Sequence, residues 1–262
     1  MSQAVPILLY HRIDRSALST ATPPTVFRRH LQWLKERGWR ALTAEEFSFF
    51  MSTGKALPPR SFVITFDDGY ESISSIALSI LKEFGYHAIA FISTRLLQHE
   101  ASNDDTVQGA TEASSFMSWA QARELQAGGI IDLQSHTHSH QLFSGWPLVG
   151  IIDDLTTSVD ILSHELKMPR SHYTHLAWPW GRSTPQSRAA ATRSGFKYQY
   201  TVARCSFHAR MPIDNIPRTC FDAADFTQFQ RQFWLQSGQF SPLWHAAYPL
   251  GRRLRQFASL LS

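Results

Sequence analysis

Six short apolar runs recur along the chain, at residues 6–10, 62–66, 87–92, 130–134, 175–178 and 198–202. None alternates cleanly between apolar and polar positions, which marks strands covered on both faces. Amphipathic stretches lie between them. VFRRHLQWLKER (26–37) puts Phe27, Leu31 and Leu34 on one face and stops at Gly38. SISSIALSILKEF (72–84) repeats Ile73, Ile76, Ile80 and Phe84 before Gly85, and residues 151–166 carry a similar stripe, with Pro169 just beyond. Strand and helix in alternation predict an α/β fold, a parallel sheet with helices outside. No internal repeat or linker interrupts the pattern. One domain over residues 1–262 is expected, with a C-terminal helical segment at about 240–262.

Composition narrows the function classes. The 262 residues include 43% hydrophobic, enough for a large core without cross-links. The net charge of +4 comes without a Lys/Arg block, so nucleic acid is not the expected partner. Cys205 and Cys220 form neither a framework nor a Cys-x-x-Cys pair and are read as free thiols. The opening MSQAVPILLYHR holds too short an apolar run for a signal peptide, and no stretch nears the roughly 20 apolar residues of a membrane span. A cytoplasmic location is expected, with peripheral contact at the inner membrane face through the basic C-terminal segment, where Arg252, Arg253 and Arg255 mix with Leu254, Phe257, Leu260 and Leu261. The polar stretch 99–115 follows a strand-like run, where long loops of parallel sheets shape active sites.

The chemistry concentrates in two places. TFDDGY (65–70) sets two carboxylates where a buried strand ends. In extended chain their side chains diverge, so Asp67 and Asp68 are expected to serve different partners, with Gly69 letting the backbone turn next. SHTHSH (135–140) follows another strand-like run and carries His136, His138 and His140. Neutral imidazole is the commonest protein metal ligand, and positions four apart meet across one turn. One Asp with two His makes a three-ligand set with open positions, the pattern of a catalytic metal site. The other Asp is then free to take a proton from a metal-acidified water.

TFDDG together with HTHSH, an instance of His-[Ser/Thr]-x-x-His, resembles the polysaccharide deacetylase family, the NodB-homology group or carbohydrate esterase family 4. ILLYHRI, VFRRHLQWLKERGWRALTAEEF, LPPRSFVITFDDGYES and LAWPWG extend the likeness over roughly residues 6–220, and it is strongest to the poly-N-acetylglucosamine deacetylase branch. The resemblance implies a distorted (β/α)₇ barrel and metal-dependent removal of N-acetyl groups from an N-acetylated glycan or sugar precursor. It makes Asp67 the general base and Asp68, His136 and His140 the ligands of one divalent ion, zinc first, with cobalt, nickel or iron as alternatives. Thr137 supports the loop and His138 is a variable position. Trp178, Pro179 and Trp180 match the groove-lining motif, with the Trp180 N–H at the oxyanion and both indoles available to a sugar face. Tyr70 and Arg182 are placed on the substrate side.

Two departures stand out. The groove motif of the family begins with an arginine that orients the base, whereas Leu176 and Ala177 precede Trp178 here, and Arg182 or Arg218 are the substitutes on offer. The usual C-terminal general-acid histidine is also missing. In the branch this chain resembles, the barrel strands are permuted and that His lies near the N-terminus, a place filled by His11, with His245 as fallback. Three rival readings remain: a two-His-one-carboxylate iron oxygenase, an amidohydrolase barrel, and a sugar-binding protein of the same fold that has lost catalysis.

Overall fold

The computed structural model of the protein describes residues 3–97 and 116–237, together with Trp244 and Tyr248. The 99–115 stretch, His245 and the basic C-terminal arginines lie outside the described residues. Among the described residues no helix is long and apolar enough to cross a membrane.

Ten strands and seven α-helices alternate along the described chain: β1 (Ala4–Val5), β2 (Ile7–Tyr10), α1 (Pro24–Glu36), β3 (Arg40–Ala41), α2 (Ala44–Thr53), β4 (Ser61–Phe66), α3 (Leu78–Phe84), β5 (Ala88–Ile92), α4 (Trp119–Gly128), β6 (Ile131–Ser135), α5 (Leu148–Leu166), β7 (His175–Ala177), α6 (Pro185–Arg193), β8 (Tyr198–Val202), β9 (Phe207–His208), β10 (Ile216–Cys220) and α7 (Phe226–Ser237). Seven strands, β2, β4, β5, β6, β7, β8 and β10, pair in parallel, each with the next, and β10 returns to β2 through Thr219↔Leu8 and Cys220↔Leu9. The sheet is a closed (β/α)₇ barrel of the NodB-like type, as the family resemblance implies, and its parallel pairing is what the alternation of runs predicts. Closure removes the open edges that a sheet must otherwise protect.

All six apolar runs are barrel strands. The seventh strand, β10, has no clear apolar signature: IPRTC carries a proline and an arginine, which argue against a strand when read alone. The helix expected at 72–84 opens with a π-helical turn, Ile73–Ala77, before α3. Helix α2 escapes periodicity because FSFF is apolar on every side, although Thr43 and Glu46 form a capping box at its start and Gly54 turns left-handed at its end.

Residue parity along the strands divides the core. Leu8, Tyr10, Ile64, Phe66, Ala90, Ile92 and Leu133 face the helices and pack with Phe27, Leu31 and Leu34 of α1. Ile7, Val63, Ile89, Phe91, Ala177, Tyr198, Tyr200 and Ile216 face inward and meet Phe47, Phe50 and Phe207, which, with Val5, plug the mouth where the strands begin. The other mouth, at the strand ends, is left to polar residues. Parity alone therefore sends the side chains two steps beyond these inward positions into the barrel.

Two buried histidines sit in this core as neutral rings. His175 on β7 shares its Nδ1 with the Tyr200 hydroxyl at 2.7 Å and its Nε2 with Ser48 Oγ at 2.8 Å, and burial holds its pKa down to about 4. His30 on α1 stacks 3.9 Å from Phe229 and meets the Tyr10 hydroxyl at 3.0 Å, and burial, helped by Arg29, lowers its pKa to about 3. Both pKa values lie below that of an unfolded histidine, so below about pH 6.5 the unfolded chain binds protons the folded chain refuses. Their contribution is therefore complete above that pH and lost as pH falls towards 4 and 3. Urea unfolding between pH 6.5 and 5 should show stability falling, each histidine contributing up to about 1.4 kcal/mol per pH unit. His175→Gln should flatten that slope by about half, and an unchanged slope would assign it to other groups.

Candidate active site

The ends of β2, β4, β6 and β7, with Arg218 inside β10, build the site. At the end of β4, Asp67 continues the inward parity of Val63 and Thr65. The backbone turns already at Asp68, whose φ of 75° is left-handed, and Gly69 continues the turn at 93°. A side chain at Gly69 would press on Leu97 and Ile92 at 3.0 and 3.1 Å. The pair diverges as expected, but through this left-handed turn rather than by strand alternation.

After β6, His136 is fully buried and its ring N–H at Nδ1 donates to the Ala177 carbonyl at 2.7 Å. That bond leaves the Nε2 lone pair facing Asp68, 3.3 Å from Oδ1. Thr137 and His140 adopt φ of 70° and 53°, and the Thr137 hydroxyl accepts from the His140 N–H at 3.2 Å. The tight loop brings His140 Nε2 to 3.1 Å from the same Asp68 oxygen. Asp154 of α5 fastens the loop from outside by accepting the N–H groups of His138 and Ser139 at 2.9 and 3.1 Å. His138 turns away to Thr94, 2.8 Å distant.

Asp68, His136 and His140 thus offer one carboxylate oxygen and two imidazole nitrogens within 4.8 Å of one another. Burial pushes the Asp68 carboxyl up, but the two histidines beside it outweigh this and hold the pKa well below the usual range. The donors fit a zinc-class divalent ion: two neutral nitrogens, one anionic oxygen, and one ring already oriented from behind by a carbonyl. Tyr70 hydrogen-bonds Asp68 as well, and burial with the Asp68 charge raises its pKa to about 12. The hydroxyl therefore stays protonated as a donor to the carboxylate.

Asp67 has a different partner. Arg218, inward on β10 and fully buried, donates Nη1 to Oδ1 at 2.6 Å and Nη2 to Oδ2 at 2.7 Å. Its guanidinium also lies 5.1 Å from the Phe91 ring and within 3.3 Å of Thr65 Oγ1. Burial alone would push Asp67 towards its neutral form; the Arg218 charge more than offsets this and keeps the carboxyl ionised. The Oδ2 atom stands 3.9 Å from His136 Nε2, so this oxygen faces the ligand cluster. Of the two arginines considered as substitutes for the missing motif arginine, Arg218 therefore pairs with Asp67. Arg182 is exposed on a cavity of about 210 Å³ beside Leu142, Phe143 and Ser183.

His11, just beyond β2, sits against Asp222: Nδ1 lies 2.5 Å from Oδ2, and the backbone N–H donates to Oδ1 at 3.1 Å. Burial opposes a charge on the ring, but hydrogen bonds to Asp222 and Cys220, with the charges of Asp222 and Asp67, raise its pKa well above the ordinary value. The ring is thus a protonated imidazolium at neutral pH.

The groove motif divides in two. Trp180 is 56% exposed, with its ring 4.6 Å from that of His140. Trp178, expected to be available to a sugar face, is instead fully buried: its indole N–H donates to Gln199 at 3.2 Å and its ring packs on Phe143. Pro179 is buried too. The turn that exposes one indole and hides the other depends on Gly181, where an added Cβ would fall 2.4 Å from the Val202 nitrogen.

Asp222, a lone Asp in a loop, and Asp154, one of two adjacent acids on α5, escaped sequence reasoning, since neither stands in a motif. The sequence offers Arg218 as a substitute for the motif arginine, but shows no partner for it.

Comparison with known proteins agrees with this geometry. Residues 54–199 match the sequence model of the polysaccharide deacetylase family, and the chain belongs to that family. It is similar to the Bacillus subtilis protein YxkH, provisionally named for the same family, at 26% identity over 198 residues, covering 76% of this chain and 64% of that protein. It is 28% identical over 188 residues to the poly-β-1,6-N-acetyl-D-glucosamine N-deacetylase of Staphylococcus epidermidis, covering 67% of this chain and 59% of that one. The chain thus spans less than two thirds of the length of these relatives. Among solved structures, IcaB from Ammonifex degensii shares the fold, with a TM-score of 0.74 at 22% identity over 89% of this chain and 97% of that one.

Removing the arginine should expose the cost of a buried, unpaired carboxylate. Arg218→Met is expected to lower unfolding stability by about 3–5 kcal/mol, and Arg218→Lys, which keeps the charge but not the two-pronged bond, by less. Chemical denaturation of both variants checks this; equal and small losses would mean the pair is not the brace it resembles.

Proposed function

We propose that the protein is a metal-dependent N-deacetylase acting on an N-acetylated glycan of the N-acetylglucosamine type. The observation that carries this reading is the cluster of Asp68, His136 and His140 flanked by an Arg-held carboxylate and an Asp-held imidazolium. A ligand set, a base and an acid stand in one barrel mouth, which is what amide hydrolysis requires. The names of the Staphylococcus relatives support the sugar.

Asp68, His136 and His140 would hold the divalent ion, with zinc the first choice. When bound, such an ion supplies a Lewis acid that polarises the acetamide carbonyl and acidifies a water. Asp67 receives the water proton at Oδ2, the oxygen facing the ligands, while Arg218 fixes its orientation and keeps it anionic. The Trp180 N–H donates to the oxygen on which negative charge develops. His11, with Nδ1 committed to Asp222, gives its Nε2 proton to the departing amine. The products are acetate and a free amino sugar. The Trp180 indole, exposed beside His140, offers a face for the sugar ring.

The reading as a sugar-binding protein without catalysis drew its support from the missing motif arginine. Arg218 supplies that contact from another strand, so the absence loses its weight.

The test is acetate release from short N-acetylglucosamine oligomers by purified protein, with and without Zn²⁺, Co²⁺ or Ni²⁺. Metal-dependent release is expected. Asp67→Asn should keep the metal and lose about 10²–10⁴-fold in turnover. His140→Ala should lose metal and activity together. His11→Ala should slow turnover with metal retained; an unchanged rate would move the acid elsewhere. Full activity in Asp67→Asn would sink the assignment of the base. Bound metal without acetate release would point to another acylated substrate, such as a non-polymeric one.

A further inference from the structure

Beside the first ligand set lies a second convergence of donors. His11, Cys220 and Asp222 present a nitrogen, a sulfur and an oxygen within 4.8 Å of one another. Asp222 Oδ2 is their common point. The His11 Nδ1 proton reaches it at 2.5 Å and the Cys220 thiol donates to it at 3.2 Å. Two segments of sequence converge here: His11 follows β2, and Cys220 ends β10 with Asp222 two residues later. The pairing Cys220↔Leu9 fixes the two strands in register, so the triangle is part of barrel closure and not a chance of loop placement. The His11 side chain is 20% exposed, which leaves a way in from solvent.

We propose that His11, Cys220 and Asp222 form a second cation site, for zinc or another borderline-soft divalent ion, whose occupation switches the enzyme off. The protons that now point at one oxygen occupy the place a cation would take. As the ion enters, the Cys220 thiol proton and the His11 Nδ1 proton leave to solvent, and nothing is oxidised or reduced. Zinc bonds of about 2.0–2.3 Å in a tetrahedral site separate the donors by about 3.3–3.8 Å, so the short His–Asp side must open by about an ångström. The sulfur separates this site from the first, which has only nitrogen and oxygen donors and suits a wider range of ions. An ion on Nδ1 also removes the charged imidazolium. The proton left on Nε2 is then that of a neutral ring, far too weak an acid to serve a departing amine. That last step rests on the deacetylase reading; the binding does not.

Titrating metal-free protein with Co²⁺ separates the two. The first equivalent should develop visible bands without a sulfur signature. Further Co²⁺ should add the near-ultraviolet thiolate-to-cobalt absorption, absent in Cys220→Ser and retained in Cys205→Ser. Excess Zn²⁺ should also shield Cys220 of the unmodified chain from alkylation, a readout that needs no variant. In acetate release, excess Zn²⁺ should slow the wild type by roughly 10²-fold, the worth of a general acid, and spare Cys220→Ser. A titration without thiolate absorption, or absorption that survives Cys220→Ser, overturns the site. Thiolate absorption in a protein that releases no acetate leaves the site standing and removes the deacetylase reading alone.

Discussion

A guanidinium inside a parallel barrel has few ways to be stable. Arg218 is fully buried, and it persists because Asp67 accepts two bonds from it while Phe91 and Tyr200 give it aromatic faces. The dependence runs both ways. Without the arginine, burial would drive Asp67 to its neutral form, and a neutral acid cannot take a proton. The pair also joins β10 to β4 across the barrel interior, so the last barrel strand in sequence fixes the geometry of a carboxylate some 150 residues earlier.

Around that brace the charges are sorted by partner rather than by kind. Three acids in one mouth would repel if left alone. Asp67 faces an arginine, Asp68 two imidazoles, and Asp222 a third imidazole. Asp67 and Asp68 are each held anionic by a separate set of partners, so neighbouring acids do not share a proton. The histidines divide in the same manner. His136 presents a lone pair because a carbonyl takes its proton, and His11 keeps its proton because a carboxylate stabilises the charge. His175 and His30 stay neutral under burial and belong to the core. One residue type offers a lone pair, a proton or a packing face, according to what lies behind the ring.

Much of this is legible in the order of the residues. The six apolar runs are strands because burial on both faces demands continuous apolar sequence, a local and visible signal. TFDDG and HTHSH mark the ligand cluster because its members sit close together in each motif and need only one turn apiece to converge. The seventh strand is hidden because IPRTC trades apolar character for a buried arginine whose partner lies far away in the chain. Trp178 and Trp180 read alike in WPW, yet a left-handed turn at Trp180 and Gly181 sends one indole inward and the other out.

The sequence by itself determined the alternation of elements, the family, and which acids and histidines to watch, since these depend on residues near one another in the chain. The tertiary structure alone decided who partners whom. Arg218 meets Asp67, Asp222 and Cys220 meet His11, and Asp154 fastens the histidine loop, only because barrel closure brings β10 back to β2 and lays α5 against β6. Those contacts span separations for which a chain carries no local signal. Their strength comes from the low dielectric inside a barrel that has shut water out, where an unpaired charge would be costly.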